Sequence, residues 1–180
     1  MCKPFSCIVK SDLTLLVSSN FMVHSHSQIL KEAGLVREVS VDQYARVELV
    51  PNGNAYGSDP DSWVLTLDEE REPSWWKENL PEVEGRIREA AHRWKAKLLA
   101  LKEVVVENSE ELICLSDATI TVQGGLVRTL GSSQPTITVQ GGEVRTLDSS
   151  QPTITVQGGE VNTWDSSQPT IKDLRKAAGS

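Results

Sequence analysis

The chain has 180 residues, with 25 acidic and 18 basic side chains and a formal net charge of −7. This length suits one ordinary domain, or a small domain followed by a repeat array. The acidic balance argues against nucleic acid as a partner, because phosphate binding needs clustered lysine and arginine. No apolar run approaches the ~20 residues of a membrane span, so we expect a soluble protein without membrane contact.

The first 102 residues predict an α+β domain in which short strands precede a long helix. Apolar residues alternate in four segments and predict strands over residues 5–10, 13–18, 44–50 and 63–67. The first two strands form a predicted hairpin around Ser11 and Asp12. A helix is predicted from Ser25 to Ala33, because a serine can cap its start and Gly34 follows its end.

A long amphipathic helix is predicted to begin at Pro81 and to end this domain. Proline suits the first turn of a helix. Apolar residues then recur at three- and four-residue steps, at Val83, Ile87, Ala90, Ala91, Trp94, Leu98 and Leu101. Just before the helix, the segment from Pro73 to Trp76 predicts a bend that brings two tryptophans together.

The second half of the chain contains a 17-residue repeat that is nearly verbatim. Its copies occupy residues 118–134, 135–151 and 152–168, and a fourth copy begins at Pro169. A fixed period with glycine and serine at fixed offsets predicts a stack of identical coils, a short right-handed parallel β-solenoid. Alternation places one set of side chains inside each coil: Ile137, Val139, Val144 and Thr146.

The array begins earlier than the obvious repeats, because Glu103–Asp117 fits the same template in degenerate form. Val104 then occupies an inward position and Cys114 replaces an inward threonine. We therefore expect about four coils over residues 103–171, and the period allows both a two-sided and a three-sided coil. Residues 172–180 abandon the pattern and are predicted to form a cap or tail, with Leu174 turned onto the last coil.

Stacking places equivalent outward side chains about 4.8 Å apart, in files that are candidate contact surfaces. The polar files are Thr119, Thr136, Thr153 and Thr121, Thr138, Thr155. They resemble the Thr-x-Thr faces of ice-binding solenoids, a remote alternative because threonine is also an ordinary strand residue. An apolar file of Leu130, Leu147 and Trp164 indicates contact with another surface, and self-association is the favoured explanation.

The sequence shows no catalytic motif: it lacks a phosphate-binding loop, a nucleophile elbow and a zinc-protease motif. Cys2, Cys7 and Cys114 lack metal-type spacing and predict reduced thiols in a cytoplasm. We expect no cofactor, no bound metal and no enzymatic activity. If a small ligand binds, the candidate cleft is formed by Trp75, Trp76, His24, His26 and Arg46.

Four segments carry a family resemblance: KPFSCIV (Lys3–Val9), SHSQILKEAGL (Ser25–Leu35), ARVELVP (Ala45–Pro51) and the tract from Trp63 through PSWW. With them the chain resembles a family of small proteins of phages, prophages and bacterial mobile DNA. Those proteins often carry C-terminal Ala-Thr-Val-type repeats, which ATITVQGG resembles, although the 17-residue coil departs from their shorter repeats. The resemblance implies a phage-linked accessory protein in the host cytoplasm and no catalytic residues.

These observations together predict a non-enzymatic protein-interaction or assembly module, which self-associates or binds a host protein. The alternative is a protein that binds and sequesters a small molecule or nucleotide through the tryptophan, histidine and arginine side chains of the first domain.

Overall fold

A computed structural model describes residues 5–35, 42–108 and 110–175 of the chain. The chain divides into two compact units, residues 1–94 and 95–180, so the division falls within the long helix and before the predicted boundary at residue 102. Among the described residues, no helix combines the length and the apolar character needed to cross a membrane.

The first unit contains a four-stranded antiparallel sheet. Its strands are β1 (Ser6–Lys10), β2 (Leu15–Leu16), β3 (Tyr44–Val50) and β4 (Val64–Leu67), in the order β2-β1-β3-β4. The hairpin of β1 and β2 was predicted, but β2 is shorter than the sequence indicated. Leu13 has a φ of 62°, which is incompatible with a strand, and so belongs to the connecting turn.

The two faces of this sheet pack against different side chains. Ala45, Val47 and Leu49 share one face of β3 and are fully buried, as the alternation predicted. On the opposite face, Ile8 of β1 packs with apolar residues of α1 (His26–Glu32). The hydroxyl of Ser25 accepts a hydrogen bond from the Gln28 amide and caps this helix, as predicted. The loop between β3 and β4 contains two 3₁₀ turns, Asn52–Asn54 and Pro60–Ser62.

The long helix α2 runs from Trp76 to Ala100, so the predicted start at Pro81 is wrong. The helix begins earlier because the amide of Trp76 donates to the Pro73 carbonyl (3.0 Å). The Asn79 side-chain amide also donates to the Trp75 carbonyl (2.7 Å), which supports the first turn ahead of the proline. The predicted apolar stripe is confirmed by burial of Val83, Ile87, Ala90, Ala91, Trp94 and Leu98.

The second unit is a β-solenoid of about four coils with a period of 17 residues. In chain order its strands are β5 (Glu103–Val106), β6 (Glu111–Cys114), β7 (Thr119–Val122), β8 (Leu126–Thr129), β9 (Thr136–Val139), β10 (Glu143–Thr146), β11 (Thr153–Val156), β12 (Glu160–Thr163) and β13 (Thr170–Asp173). The odd-numbered strands form one parallel sheet and the even-numbered strands form the other. The coil is therefore two-sided.

The coils stack in the register that the repeat predicts. Ile137 pairs with Ile154 in the next coil, and Val144 pairs with Val127 in the previous one. The first coil obeys the same rule, because Cys114 pairs with Thr129. Side chains at the inward positions of the middle coils are fully buried, so a continuous apolar interior runs along the array.

The sequence predicted that the solenoid ends at residue 171 and that a cap or tail begins at residue 172. This boundary is wrong by two residues. Lys172 and Asp173 belong to β13 and pair in register with Thr155 and Val156. The amide of Leu174 extends this ladder by donating to the Val156 carbonyl (2.8 Å). The strand continues because backbone pairing with β11 does not depend on side-chain identity. The rest of the predicted cap, residues 176–180, lies outside the described residues.

A buried hydroxyl bond joins successive coils at one corner. The Ser150 hydroxyl lies 2.9 Å from the Thr129 hydroxyl and donates to the Leu147 carbonyl (2.8 Å). One coil earlier, Cys114 replaces the threonine. Ser133 is buried there, and within the described part of the chain its hydroxyl has no hydrogen-bond partner.

We expect Ser150→Ala to destabilise the solenoid by about 1–3 kcal/mol, because it leaves a buried Thr129 hydroxyl without its partner. Ser133→Ala is the matched control and is expected to leave stability unchanged or slightly raised, since no bond is lost and an unpaired buried hydroxyl is removed. Urea unfolding followed by circular dichroism measures both. Equal effects of the two substitutions would contradict this account of the corner.

Candidate functional site

Arg46, a residue of the predicted ligand cleft, lies in an internal ion pair with Glu69. Its Nε and Nη2 atoms donate to the two Glu69 carboxylate oxygens at 3.0 and 2.8 Å. The carboxylate is buried, with a side-chain exposure of 3%. These bonds raise the pKa of Arg46, so its guanidinium is held charged. Its role in the structure is to neutralise Glu69.

The two adjacent tryptophans pack edge to face, with ring centroids 5.9 Å apart. Trp76 is buried, and Trp75 is half-buried with its indole Nε1 donating to the Asp42 carbonyl (2.9 Å). The predicted pairing of the rings is therefore present. Trp76 contributes to the core, and Trp75 ties the start of α2 to the segment before β3.

The two histidines of the predicted cleft have different surroundings. His24 lies edge to face with the Trp94 ring, at a centroid separation of 5.8 Å. His26 is buried and lies between the Val47 carbonyl, 3.2 Å from its Nε2, and the Asp68 carboxylate, 3.2 Å from its Nδ1. The Asp68 amide donates to the Arg46 carbonyl (2.8 Å), so the structure brings His26 and Arg46 to the same end of β4.

No local pattern in the sequence indicates the carboxylates that surround His26. The ligand atoms of His26, Glu48 and Asp68 all lie within 4.8 Å of one another, and together they could hold a metal ion. Glu48 shares a face of β3 with Arg46, which the alternation of that strand indicates. A second group, Asp59, Asp61 and His92, has the same kind of spacing but is exposed. Neither group contains a cysteine.

The described cysteines are not available for chemistry at neutral pH. Cys7 and Cys114 are both free thiols and both are buried. Burial raises the pKa of the Cys7 thiol far above its ordinary range and raises that of Cys114 to about 11. Cys2 lies outside the described residues. The predicted inward position of Cys114 is confirmed, because its side chain is fully buried in the first coil.

The threonine files stand on the outer face of one solenoid sheet, as predicted. Pairing of Thr136 with Thr153, and of Thr138 with Thr155, places them in register. The first file is exposed and the second is half-buried: Thr119, Thr136 and Thr153, then Thr121, Thr138 and Thr155. The face is therefore regular and uncharged over three coils.

The apolar file is not uniformly exposed. Leu130 is buried, with 3% of its surface accessible, whereas Leu147 is half-buried and Trp164 is 58% exposed. Exposure therefore rises coil by coil toward the end of the array. Of the three predicted interface residues in this file, Trp164 is the one that presents a large apolar surface to solvent.

The last coil leaves parts of the solenoid interior uncovered. Ile137 and Ile154 are fully buried, but Ile171, at the same position one coil later, is 46% exposed. Thr146 is likewise buried, and its equivalent Thr163 is exposed. We call the exposed and half-buried side chains of the last coil the terminal face. Its members are Val161, Thr163, Trp164, Ile171 and Leu174.

Two features of the described residues thus have the character of contact sites, the terminal face and the cluster around His26. Comparison with protein-family models, with curated proteins and with solved structures finds no match to this chain. The terminal face offers apolar surface, whereas the His26 cluster offers nitrogen and oxygen donors. They suit different kinds of partner.

Proposed function

We propose that this protein is a non-enzymatic interaction module that associates with a second copy of itself through the terminal face. The observation that supports this proposal is the loss of burial at equivalent positions. Ile154 is fully buried by the next coil, whereas Ile171 has 46% of its surface exposed. Exposed aliphatic and aromatic side chains at one end of an array are typical of a protein contact.

A second copy is the occupant that the geometry of the repeat favours. Within the array, each coil end is covered by another coil with nearly the same side chains in the same register. The terminal face of another copy offers the same apolar side chains, although two such faces meet end to end and not head to tail as coils do within the array. Two copies related by a two-fold axis would cover both faces at once and form a closed dimer.

The charges on β13 indicate which part of the terminal face makes the contact. Asp173 occupies a position that valine fills in earlier coils, and it pairs with Arg175 at 2.7 Å. An inward charge on an edge strand disfavours continued strand pairing there. We therefore expect the contact to centre on the β12 side, with Trp164 as its anchor, because tryptophan is enriched at binding hot spots.

We expect Trp164→Thr to weaken the dimer by roughly 2 kcal/mol, about 30-fold in Kd. The matched control is Val64→Thr, which replaces an exposed apolar strand residue in the first unit. Sedimentation equilibrium over a wide concentration range measures both constants. A wild-type chain that stays monomeric throughout, or equal Kd values for wild type and Trp164→Thr, would contradict the proposal.

We also propose that the module acts on a protein of a bacterial host, in the host cytoplasm, as an accessory protein of phage origin. The support is the resemblance of the first-unit segments and repeats to proteins of phages and mobile DNA. The threonine files offer this second partner a flat, uncharged surface away from the terminal face. The alternative of a small-molecule or nucleotide site has less support, because Arg46 is engaged by Glu69 and Trp76 is buried.

A further inference from the structure

We propose that His26, Glu48 and Asp68 form a binding site for a divalent transition-metal ion, with Zn²⁺ as the best fit. The site lies in the first unit, on the sheet face that packs against α1. It is independent of the proposed self-association, which concerns the second unit.

Three separate segments place these side chains together. His26 is the first residue of α1, held there by the Ser25 cap. Glu48 lies on β3 and pairs with Thr66 of β4, so Asp68, two residues further on, shares its face of the sheet. The Asp68 amide also bonds to the Arg46 carbonyl, which fixes the backbone that carries the carboxylate.

The orientation of the His26 ring turns one nitrogen toward the carboxylates and the other toward the backbone. Nε2 lies 3.2 Å from the Val47 carbonyl oxygen, and Nδ1 lies 3.2 Å from the Asp68 carboxylate. The His26 side chain is 4% exposed, so the ring is shielded from water while Nδ1 faces the cluster. A ring nitrogen that donates to a backbone carbonyl is also the usual arrangement of metal-ligating histidines.

The spacing and the charge of the cluster suit a divalent ion. Two ligands of a tetrahedral zinc ion, each bound at 2.0–2.2 Å, lie about 3.4 Å apart, close to the observed 3.2 Å from Nδ1 to Asp68. Two carboxylates supply two negative charges, which a dication offsets.

The donor set selects a transition metal over magnesium or calcium, which prefer oxygen ligands alone. Three side chains leave a fourth zinc position for water or for a ligand from solution. The Asp68 side chain is 52% exposed, so an ion can enter from solvent, whereas His26 on the other side is shielded. A bound ion would tie α1 to β3 and to the end of β4, and would stabilise the first unit.

Isothermal titration of the tag-free 180-residue chain with ZnCl₂ tests the site, in a Cys2→Ser background that removes a competing thiol. We expect one ion per chain with a micromolar or tighter Kd. Asp68→Asn and Glu48→Gln should each raise that Kd at least about tenfold. The control is Asp61→Asn, which alters the exposed second cluster and is expected to change Kd by less than about twofold.

Two further measurements separate loss of the site from loss of the fold. The melting temperatures of metal-free Asp68→Asn and wild type should be close, because asparagine keeps the size and shape of the half-exposed Asp68 side chain, whereas zinc should raise only the wild-type value. The Co²⁺-loaded protein should show ligand-field bands without a thiolate charge-transfer band. Absence of zinc binding, a thiolate band, or weakening by Asp61→Asn alone would overturn the proposal.

Discussion

Replacing Gly142 with alanine is expected to destabilise the solenoid by more than about 4 kcal/mol. Gly142 lies at a corner where each coil passes directly over the previous one, with a φ of +71°. A Cβ atom at this position would lie 2.6 Å from the Gly124 carbonyl carbon and 2.6 Å from the Gly125 carbonyl oxygen. Backbone atoms cannot move aside as a flexible side chain can, so the coils would have to separate.

Gly131→Ala is the matched control for this effect. Gly131 has a similar φ of +65°, but a Cβ atom placed there would meet nothing within 4 Å. The equivalent positions in the next two coils are occupied by Asp148 and Asp165, with φ values of 55° and 57°. The repeat itself therefore accepts a side chain at this corner, and we expect a cost of only about 1–2 kcal/mol.

Urea unfolding of the two glycine variants, followed by far-ultraviolet circular dichroism, measures this difference directly. The expected result is a large loss of solenoid stability in Gly142→Ala and a small one in Gly131→Ala. Similar losses in the two variants would mean that backbone conformation alone, and not the close approach of coils, determines the role of Gly142.

Replacing Arg46 with methionine is expected to destabilise the first unit by about 3–5 kcal/mol. The substitution leaves the Glu69 carboxylate, whose side chain is 3% exposed, buried without its counter-charge. Desolvation of an unpaired carboxylate is costly, and methionine keeps most of the volume of the arginine stem. The effect therefore reports the lost charge pairing and not a cavity.

Arg93→Met is the matched control, because Arg93 pairs with Glu89 on the same helix face and both side chains are largely exposed. Exposed pairs of this kind contribute about 0.3–0.5 kcal/mol. Urea unfolding followed by tryptophan fluorescence compares the two variants, since most tryptophans lie in the first unit. The double variant Arg46→Met, Glu69→Met should recover stability, because it removes the isolated charge. Equal effects of Arg46→Met and Arg93→Met would contradict the assigned role.

The solenoid is the part of this structure that the sequence predicts best. Ile137 and Val144 have identical equivalents 17 residues before and after them, so the register of the strands and their inward faces follow from the sequence alone. The number of sides does not follow, because 17 residues with two corners accommodate either cross-section. The continuation of β13 through Asp173 was also missed, since its charges resemble a tail although its backbone still pairs with β11.

The first unit was predicted less completely because its decisive contacts join distant segments. The alternation of apolar residues predicted β3 and its buried face. The start of α2 was predicted wrongly at Pro81, because proline occurs both at the first position of a helix and within its first turns. Glu69 and Asp68 follow β4 in a run of acidic residues that indicates only an exposed loop. Their pairing with Arg46 and His26 depends on strand order, which no local pattern of this sequence specifies.

The stacking of coils at a 17-residue register is the central claim, and spin labels test it most directly. Nitroxides are attached to Thr136→Cys, Thr153→Cys in a Cys2→Ser background, where Cys7 and Cys114 are buried and unreactive. Adjacent parallel strands place the two labels about 4.8 Å apart at their backbones, so strong dipolar broadening is expected. Labels at Thr136 and Arg145, on opposite sheets and pointing away from each other, should be much less broadened. Stronger broadening for the labels at Thr136 and Arg145 than for those at Thr136 and Thr153 would indicate an antiparallel hairpin within each repeat and would contradict the solenoid.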